Sequence, residues 1–248
     1  MQTTTDATLV SCRTESLDTI DADILWVPVF LADDDDSDSG ARGLERLDRA
    51  VGGALSRARA SGELTGALHE QFLTDVVDTA WHTRRVLLVG AGVRDRYHPT
   101  VARAAAATAG MAARQRAASR LVYWSPPGTG ETGTTQAVVE GVLLGAFRDT
   151  RFKTRDTGTA PLQELILAFD GPIDPPVQAE AERGAILAEC SNLARELANE
   201  PGNLFTPRVF AERAIELVTG PRTTVEVLDE AAIASEGMGL LLGVAQGS

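Results

Sequence analysis

The chain has 248 residues, 44% of them hydrophobic, with 23 basic against 35 acidic side chains and a formal net charge of −12. That length fits one large domain or two small ones with a real apolar core, and 23 Gly and 11 Pro exclude a collagen-like or low-complexity chain. Acidity of this order argues against nucleic acid as a default partner; two cysteines make no disulfide framework; no basic-then-apolar leader or ~18-residue apolar run stands out, so a soluble, cytoplasmic protein without a membrane role is expected.

In chain order, short apolar runs predict strands over 8–13, 24–30, 70–77, 85–89, 121–124, 164–169, 224–228 and 240–244. Several are continuously apolar, as buried parallel strands are. Longer helical patterns lie between them. Residues 41–60 set Leu44, Leu47, Val51, Leu55 and Ala58 on one face, and Gly52-Gly53 inside that pattern marks a break or a close contact. Residues 100–118 are alanine-rich; 134–150 carry Val138, Val142 and Leu143 beside a small face of Gly141 and Gly145. Residues 177–198 stripe Ile186, Cys190, Leu193 and Leu197, which predicts a buried, inert Cys190. A last helix over 207–219 opens with Thr206 as N-cap and Pro207 in its first turn, and stops at Gly220-Pro221. Such alternation predicts an α/β fold with a mainly parallel mixed sheet flanked by helices. The run Asp170-Gly171-Pro172-Ile173-Asp174-Pro175-Pro176 interrupts helix and ladder alike, placing one domain at 1–172. Residues 173–248 are too few to cover both faces of their strands and read as the opening of a second α/β domain.

Several motifs suggest chemistry and have plainer explanations. Residues 125–133 contain Gly128-Thr129-Gly130-Glu131-Thr132-Gly133, a G-x-G-x-x-G between a strand and a helix. Glu131 stands where a phosphate-binding loop needs lysine and would repel phosphate, and the next strand ends too far on for a ribose-binding acid; a glycine-rich connector is the plainer alternative. Gly90-Ala91-Gly92 lacks the third glycine, with Asp95 in its place, and reads as a tight strand exit. Asp34, Asp36, Asp38 and Glu45 have calcium-loop spacing, but Ser39 occupies the turn position that needs glycine. His69, His82 and His98 form no metal motif, and Cys12 has no partner motif.

Charge is unevenly spread: residues 1–40 hold 10 acids and one base, whereas 84–120 hold eight arginines (84, 85, 94, 96, 103, 114, 116, 120) and one acid, Asp95. The basic stretch is either a nucleic-acid stripe or a surface paired with the acidic N-terminal segment or a neighbouring subunit; the net acidity favours pairing. No catalytic, cofactor-binding or metal-ligating residue is assigned in this chain.

Three stretches, in order, resemble the leucyl (cytosol) aminopeptidase family. The first is Glu140-Gly141-Val142-Leu143-Leu144-Gly145-Ala146-Phe147-Arg148 with Arg151-Phe152-Lys153-Thr154. It is similar to the family's E-G-x-x-L-G-A-Y-R-F…Y-K-T pattern, with Phe147 and Phe152 where tyrosine is usual and Asp149 where phenylalanine is usual. The second is Asn199-Glu200-Pro201-Gly202-Asn203-Leu204-Phe205-Thr206-Pro207, similar to N-x-P-x-N-x-x-T-P. The third runs from Val225-Glu226-Val227-Leu228-Asp229 through Gly237-Met238-Gly239 to Gln246-Gly247-Ser248. The resemblance implies a macro-domain-like N-terminal domain, then a linker helix and the start of a peptidase domain. It implies removal of N-terminal residues from peptides by the complete protein, with two divalent metals (Mn or Zn), and a hexamer. The family's metal-binding motifs, of the form G-K-G-x-x-x-D-S-G-G and N-T-D-A-E-G-R, do not occur in these 248 residues, so the chain alone is expected to be inactive and to serve assembly and access to the active site. Two alternatives stand beside this: a macro-like module for a phosphorylated ligand at Gly90–Gly92 or Gly128–Gly133, and a DNA-interacting regulator using the arginines of 84–120.

Overall fold

A computed structural model describes residues 7–31, 38–124, 132–155, 160–218, 220 and 222–246. The strands are β1 (Leu9–Arg13), β2 (Ile24–Val29), β3 (Gln71–Asp75), β4 (Arg85–Gly90), β5 (Arg120–Trp124) and β6 (Glu164–Ala168). They form one sheet in the order β1-β6-β5-β2-β4-β3, parallel throughout except for β3, which runs antiparallel along the edge of β4. The helices are α1 (Asp38–Ala50), α2 (Ala54–Ser61), α3 (Pro99–Gln115), α4 (Thr134–Ala146), α5 (Pro175–Asn199), α6 (Pro207–Val218), α7 (Glu230–Ser235) and α8 (Gly239–Ala245). The expected α/β class, a mainly parallel sheet flanked by helices, is what the chain adopts.

The central strands are apolar on both sides because helices cover both faces. On one face Ile24, Trp26, Leu87, Val89, Leu121, Tyr123, Leu165 and Leu167 pack against α3 and α4. On the other, Leu25, Val27, Val86, Leu88, Val122, Trp124 and Ile166 meet Leu47 of α1, Val51 in the turn that follows it, and Leu55 and Ala58 of α2. Each fully buried large apolar side chain contributes roughly 1.5–3 kcal/mol. Pro28, which has no N–H to give a ladder, lies beyond the Ile24–Trp26 stretch paired with β5. The Gly52-Gly53 pair is the break foreseen inside 41–60: both residues are left-handed, with φ of 64° and 79°, and they separate α1 from α2.

The chain divides into two units, Met1–Glu196 and Leu197–Ser248. In the second unit α6, α7 and α8 bury no residue, and Glu200 is its one buried side chain among the described residues. Two strand expectations fail here. Residues 240–244 lie in helix α8, because a short apolar run of leucines has no period of its own and leucine is a strong helix former. Residues 224–228 pair with no strand among the described residues; only an isolated bridge between Gly220 and Thr223 precedes them. The Cys190 expectation also fails. Helix α5 buries Ala181, Gly184 and Ala188, while Ile186 and Cys190 are exposed. Close approach to α4 selects that small face: a Cβ on Gly184 would lie 2.7 Å from the Gln136 carbonyl oxygen.

Candidate functional site

The glycine motifs stand at the carboxyl ends of the parallel strands, where open α/β sheets bind ligands. At Gly90-Ala91-Gly92 every amide is already engaged. Gly90 N–H donates to the Glu70 carbonyl (2.8 Å), Ala91 N–H to Val29 (2.8 Å) and Gly92 N–H to Gly66 (2.9 Å). Gly90 itself is required by close approach, since a Cβ there would lie 1.8 Å from the Ala67 carbonyl oxygen. This loop is a packed strand exit with no spare donors for a phosphate.

Residues 125–131 of the second glycine motif lie outside the described residues. Its last member, Gly133, is the N-cap of α4, left-handed at φ 87°. The Gly133 N–H donates to Glu180 Oε1 of α5 at 2.7 Å, so a carboxylate already sits at the positive end of α4. The Thr134 hydroxyl beside it is buried and has no hydrogen-bond partner among the described residues. A second anion here would meet the charge of Glu180.

The calcium-like spacing cannot be followed, because Asp34 and Asp36 and the Asp38 side chain lie outside the described residues; Glu45 is 3.9 Å from Arg49 one turn on. The histidines lie apart. His69 Nδ1 lies 2.9 Å from Thr108 Oγ1, His82 Nδ1 is 3.0 Å from the Thr19 carbonyl, and His98 is the N-cap of α3, with no side-chain cap hydrogen bond among the described residues. Burial pushes the Cys12 thiol up to about 11, with Glu182 adding to the rise, which makes it a poor nucleophile at neutral pH.

Many arginines of 84–120 have partners within the chain. Arg84 lies 3.6 Å from Asp23, and Arg120 reaches Asp21 at 2.6 Å and Glu164 at 2.7 Å. Arg103 pairs with the nearly buried Glu140 at 2.7 Å, Arg114 donates to the Phe147 carbonyl, and Arg94 stacks on the Phe30 ring at 4.4 Å. Two of these links, to Asp21 and Asp23, run to the acidic N-terminal segment, as the pairing alternative supposed.

The stretches that carried the family resemblance are framework. Gly141 and Gly145 let α4 lie against α3: a Cβ on either would fall 2.3 and 2.2 Å from the Arg103 and Ala107 carbonyl oxygens. Glu140 also accepts from Gln136 at 2.7 Å. The end of α4 is held by Asn192 and Arg195 of α5, which donate to the Leu143 and Leu144 carbonyls, and Arg195 stacks on Phe147 at 4.1 Å. Arg151 donates to the Glu196 carbonyl in the last turn of α5 (2.7 Å) and pairs with Asp149. In the second stretch Glu200 pairs with Arg213 of α6, and the Pro201 carbonyl accepts from the N–H groups of Leu204 and Phe205. In the third, Asp229 caps α7 by accepting from the Ala232 N–H at 2.8 Å. The sequence singled out neither Glu180 nor Arg195, and it named Arg151 only as part of a motif, because the roles of all three depend on which helices touch.

Among the described residues no group of three or more His, Cys, Asp or Glu side chains is placed to hold a metal ion. The described residues therefore do not fit a two-metal cradle. Among the described residues no helix is long and apolar enough to cross a membrane.

The geometry defines an α/β protein whose motif residues maintain helix packing and helix ends. Comparison with known proteins carries this further. The family model for the cytosol aminopeptidase N-terminal domain matches residues 27–156, and the model for that family's catalytic domain matches residues 192–248. The chain belongs to the cytosol aminopeptidase family and covers its N-terminal domain and the start of its catalytic domain. It is 34% identical over 239 residues to a probable cytosol aminopeptidase of Solibacter usitatus, covering 96% of this chain and 46% of that protein. It is 35% identical over 201 residues to one of Caulobacter vibrioides, covering 80% of this chain and 39% of that protein. The chain thus spans less than half the length of these curated relatives. Its fold is similar to that of a tomato leucine aminopeptidase mutant, with a TM-score of 0.71 and 24% identity over 86% of this chain and 42% of that one. It is also similar to the bottromycin maturation enzyme BotP in complex with Mn, with a TM-score of 0.58 and 26% identity over 79% of this chain and 36% of that one.

Proposed function

We propose that this chain is the N-terminal half of a leucyl-aminopeptidase-like metalloexopeptidase whose complete form removes N-terminal residues from peptides. Residues 1–172 are the N-terminal, macro-like domain; 173–248 are a linker helix and the opening of the peptidase domain. The ordered match to the two family models carries this reading. In the complete protein the two divalent ions implied by family likeness (Mn or Zn) would supply Lewis-acid chemistry and an activated water. No side chain of this chain is assigned to them or to catalysis. The chain's own work is assembly and the shaping of access, in a cytoplasmic homo-oligomer, a hexamer by family likeness, with peptides as substrates.

Such chemistry requires converging metal ligands, and the family's metal-binding motifs do not occur in these 248 residues. We infer on that ground that the 248-residue chain alone is inactive on peptides. A purified sample incubated with a leucyl chromogenic amide and Mn or Zn should release no leucine above a blank. Metal-dependent release that survives repeated purification would overturn this.

A further inference from the structure

We propose that the corner after α4, residues 147–151, is a latch that keeps the last turns of α5 in one cooperative unit with the six-stranded sheet. When the latch opens, the segment from which the second unit starts passes from helix to chain. The inference goes beyond the peptidase reading and does not depend on it.

Burial does not hold this end of α5. The helix runs to Asn199, but its last buried residue is Ala188, and none of residues 189–199 is buried. A stretch of that length without core packing is marginal as a helix in water. The boundary between the two units also falls inside it, after Glu196, and not at the end of the helix.

What holds the stretch is polar and reciprocal. The last carbonyls of a helix have no partner within it. Those of Leu143 and Leu144, at the end of α4, accept from Asn192 Nδ2 (3.3 Å) and Arg195 Nη1 (2.9 Å) of α5. In return, the Glu196 carbonyl accepts from Arg151 Nη2 at 2.7 Å, while the Glu200 N–H goes to the Leu197 carbonyl. Each helix end is thus capped by side chains from across the contact.

Both guanidiniums are fixed by further contacts. Arg195 lies over the Phe147 ring at 4.1 Å and donates to Asn192 Oδ1 at 2.9 Å. Arg151 grips Asp149 at two points, Nε to Oδ1 at 3.1 Å and Nη2 to Oδ2 at 2.9 Å. A planar fork held in this way is pre-organised, so its bond to the α5 carbonyl costs little extra side-chain entropy. Arg151 and Arg195 therefore decide whether residues 192–199 stay helical.

Amide hydrogen exchange of the full 248-residue chain tests this. In the parent chain the 192–199 amides should exchange at least about tenfold more slowly than unstructured chain. The double variant Arg151→Ala, Arg195→Ala should bring them at least about tenfold closer to the unstructured rate, with β1–β6 unchanged. Each single variant should fall between the two. Arg183→Ala, an exposed position earlier in the same helix, is the control and should exchange as the parent does. Parent-like exchange of 192–199 in the double variant overturns the proposal, as does an unstructured rate there in the parent. Equal acceleration in β1–β6 overturns it too, because the arginines would then act on global stability and not as a latch.

Discussion

Glu180 on α5 accepts a hydrogen bond from the backbone N–H of Gly133, the residue that opens α4, at 2.7 Å. One helix thus supplies the N-terminal cap of another, and the cap is a carboxylate. It stabilises the exposed amides and the positive end of the α4 dipole together. Glu180→Gln keeps an acceptor and loses the charge, and should cost about 0.5–1 kcal/mol; Glu180→Ala loses both and should cost roughly 1–2 kcal/mol. Urea unfolding of the full chain followed by circular dichroism measures both. Equal stability of Glu180→Ala and the parent chain would show that the cap contributes nothing.

The α3–α4 contact depends on missing side chains. A Cβ at position 145 would lie 2.2 Å from the Ala107 carbonyl oxygen, with the Ala107 carbonyl carbon and Cα at 3.0 Å, so the obstruction is backbone and cannot rotate away. Gly145→Ala should therefore destabilise by about 1–3 kcal/mol or more through forced separation of the helices, despite alanine's better helix propensity. Gly171→Ala is the control, because a Cβ there meets nothing within 4 Å. It should change the thermal midpoint little or raise it slightly. If Gly145→Ala is as stable as Gly171→Ala, the close packing is not a constraint.

The first six strands were legible because helices cover both sheet faces, which makes β2, β4, β5 and β6 near-continuous apolar runs. The break at Gly52-Gly53 and the stop at Pro207 were legible from local backbone chemistry. What failed depended on partners. Cys190 sits on an apolar stripe of α5, but contact with α4 is decided by Gly184 and Ala188, so the helix turns its small face inward. Residues 240–244 could be strand or helix by composition, and no neighbouring ladder selects strand. The family motifs were legible as patterns, whereas the work of Glu140, paired with Arg103 across α3 and α4, required the two helices to be placed first.

The two cysteines should behave oppositely. Cys190 is exposed, whereas Cys12 is half-buried and its thiol is pushed up to about 11 by burial and by Glu182. At pH 8 a thiol reagent should therefore label one cysteine per folded chain quickly, and Cys190→Ser should abolish that fast phase. Cys12 should react at a comparable rate only after denaturant is added. Because folding raises this pKa above the ordinary thiol value of 9.0, the folded state holds the proton longer than the unfolded state. The associated stability is intact below pH 9 and declines as pH rises toward about 11. Fast labelling of both cysteines in the native chain would contradict the burial of Cys12.

Asp23 supplies the opposite pH dependence. Its Oδ2 accepts from the backbone N–H groups of Ser119 (2.9 Å) and Arg120 (3.0 Å), tying the entry of β2 to that of β5. Burial opposes its ionisation, but these two amides and the Arg84 guanidinium outweigh burial and hold the carboxyl below 3.8. A carboxylate with a depressed native pKa stabilises the fold above its unfolded value, and that contribution is lost as pH falls through the folded value. Asp23→Ala should therefore cost roughly 1.5–3 kcal/mol at neutral pH, the range for hydrogen bonds to a charged group. The gap to the parent chain should narrow as the pH is lowered below about 4. Urea midpoints for both proteins across an acid series measure it. A gap that stays constant down to the lowest pH at which the parent chain folds would mean that Asp23 acts through packing and not through its charge.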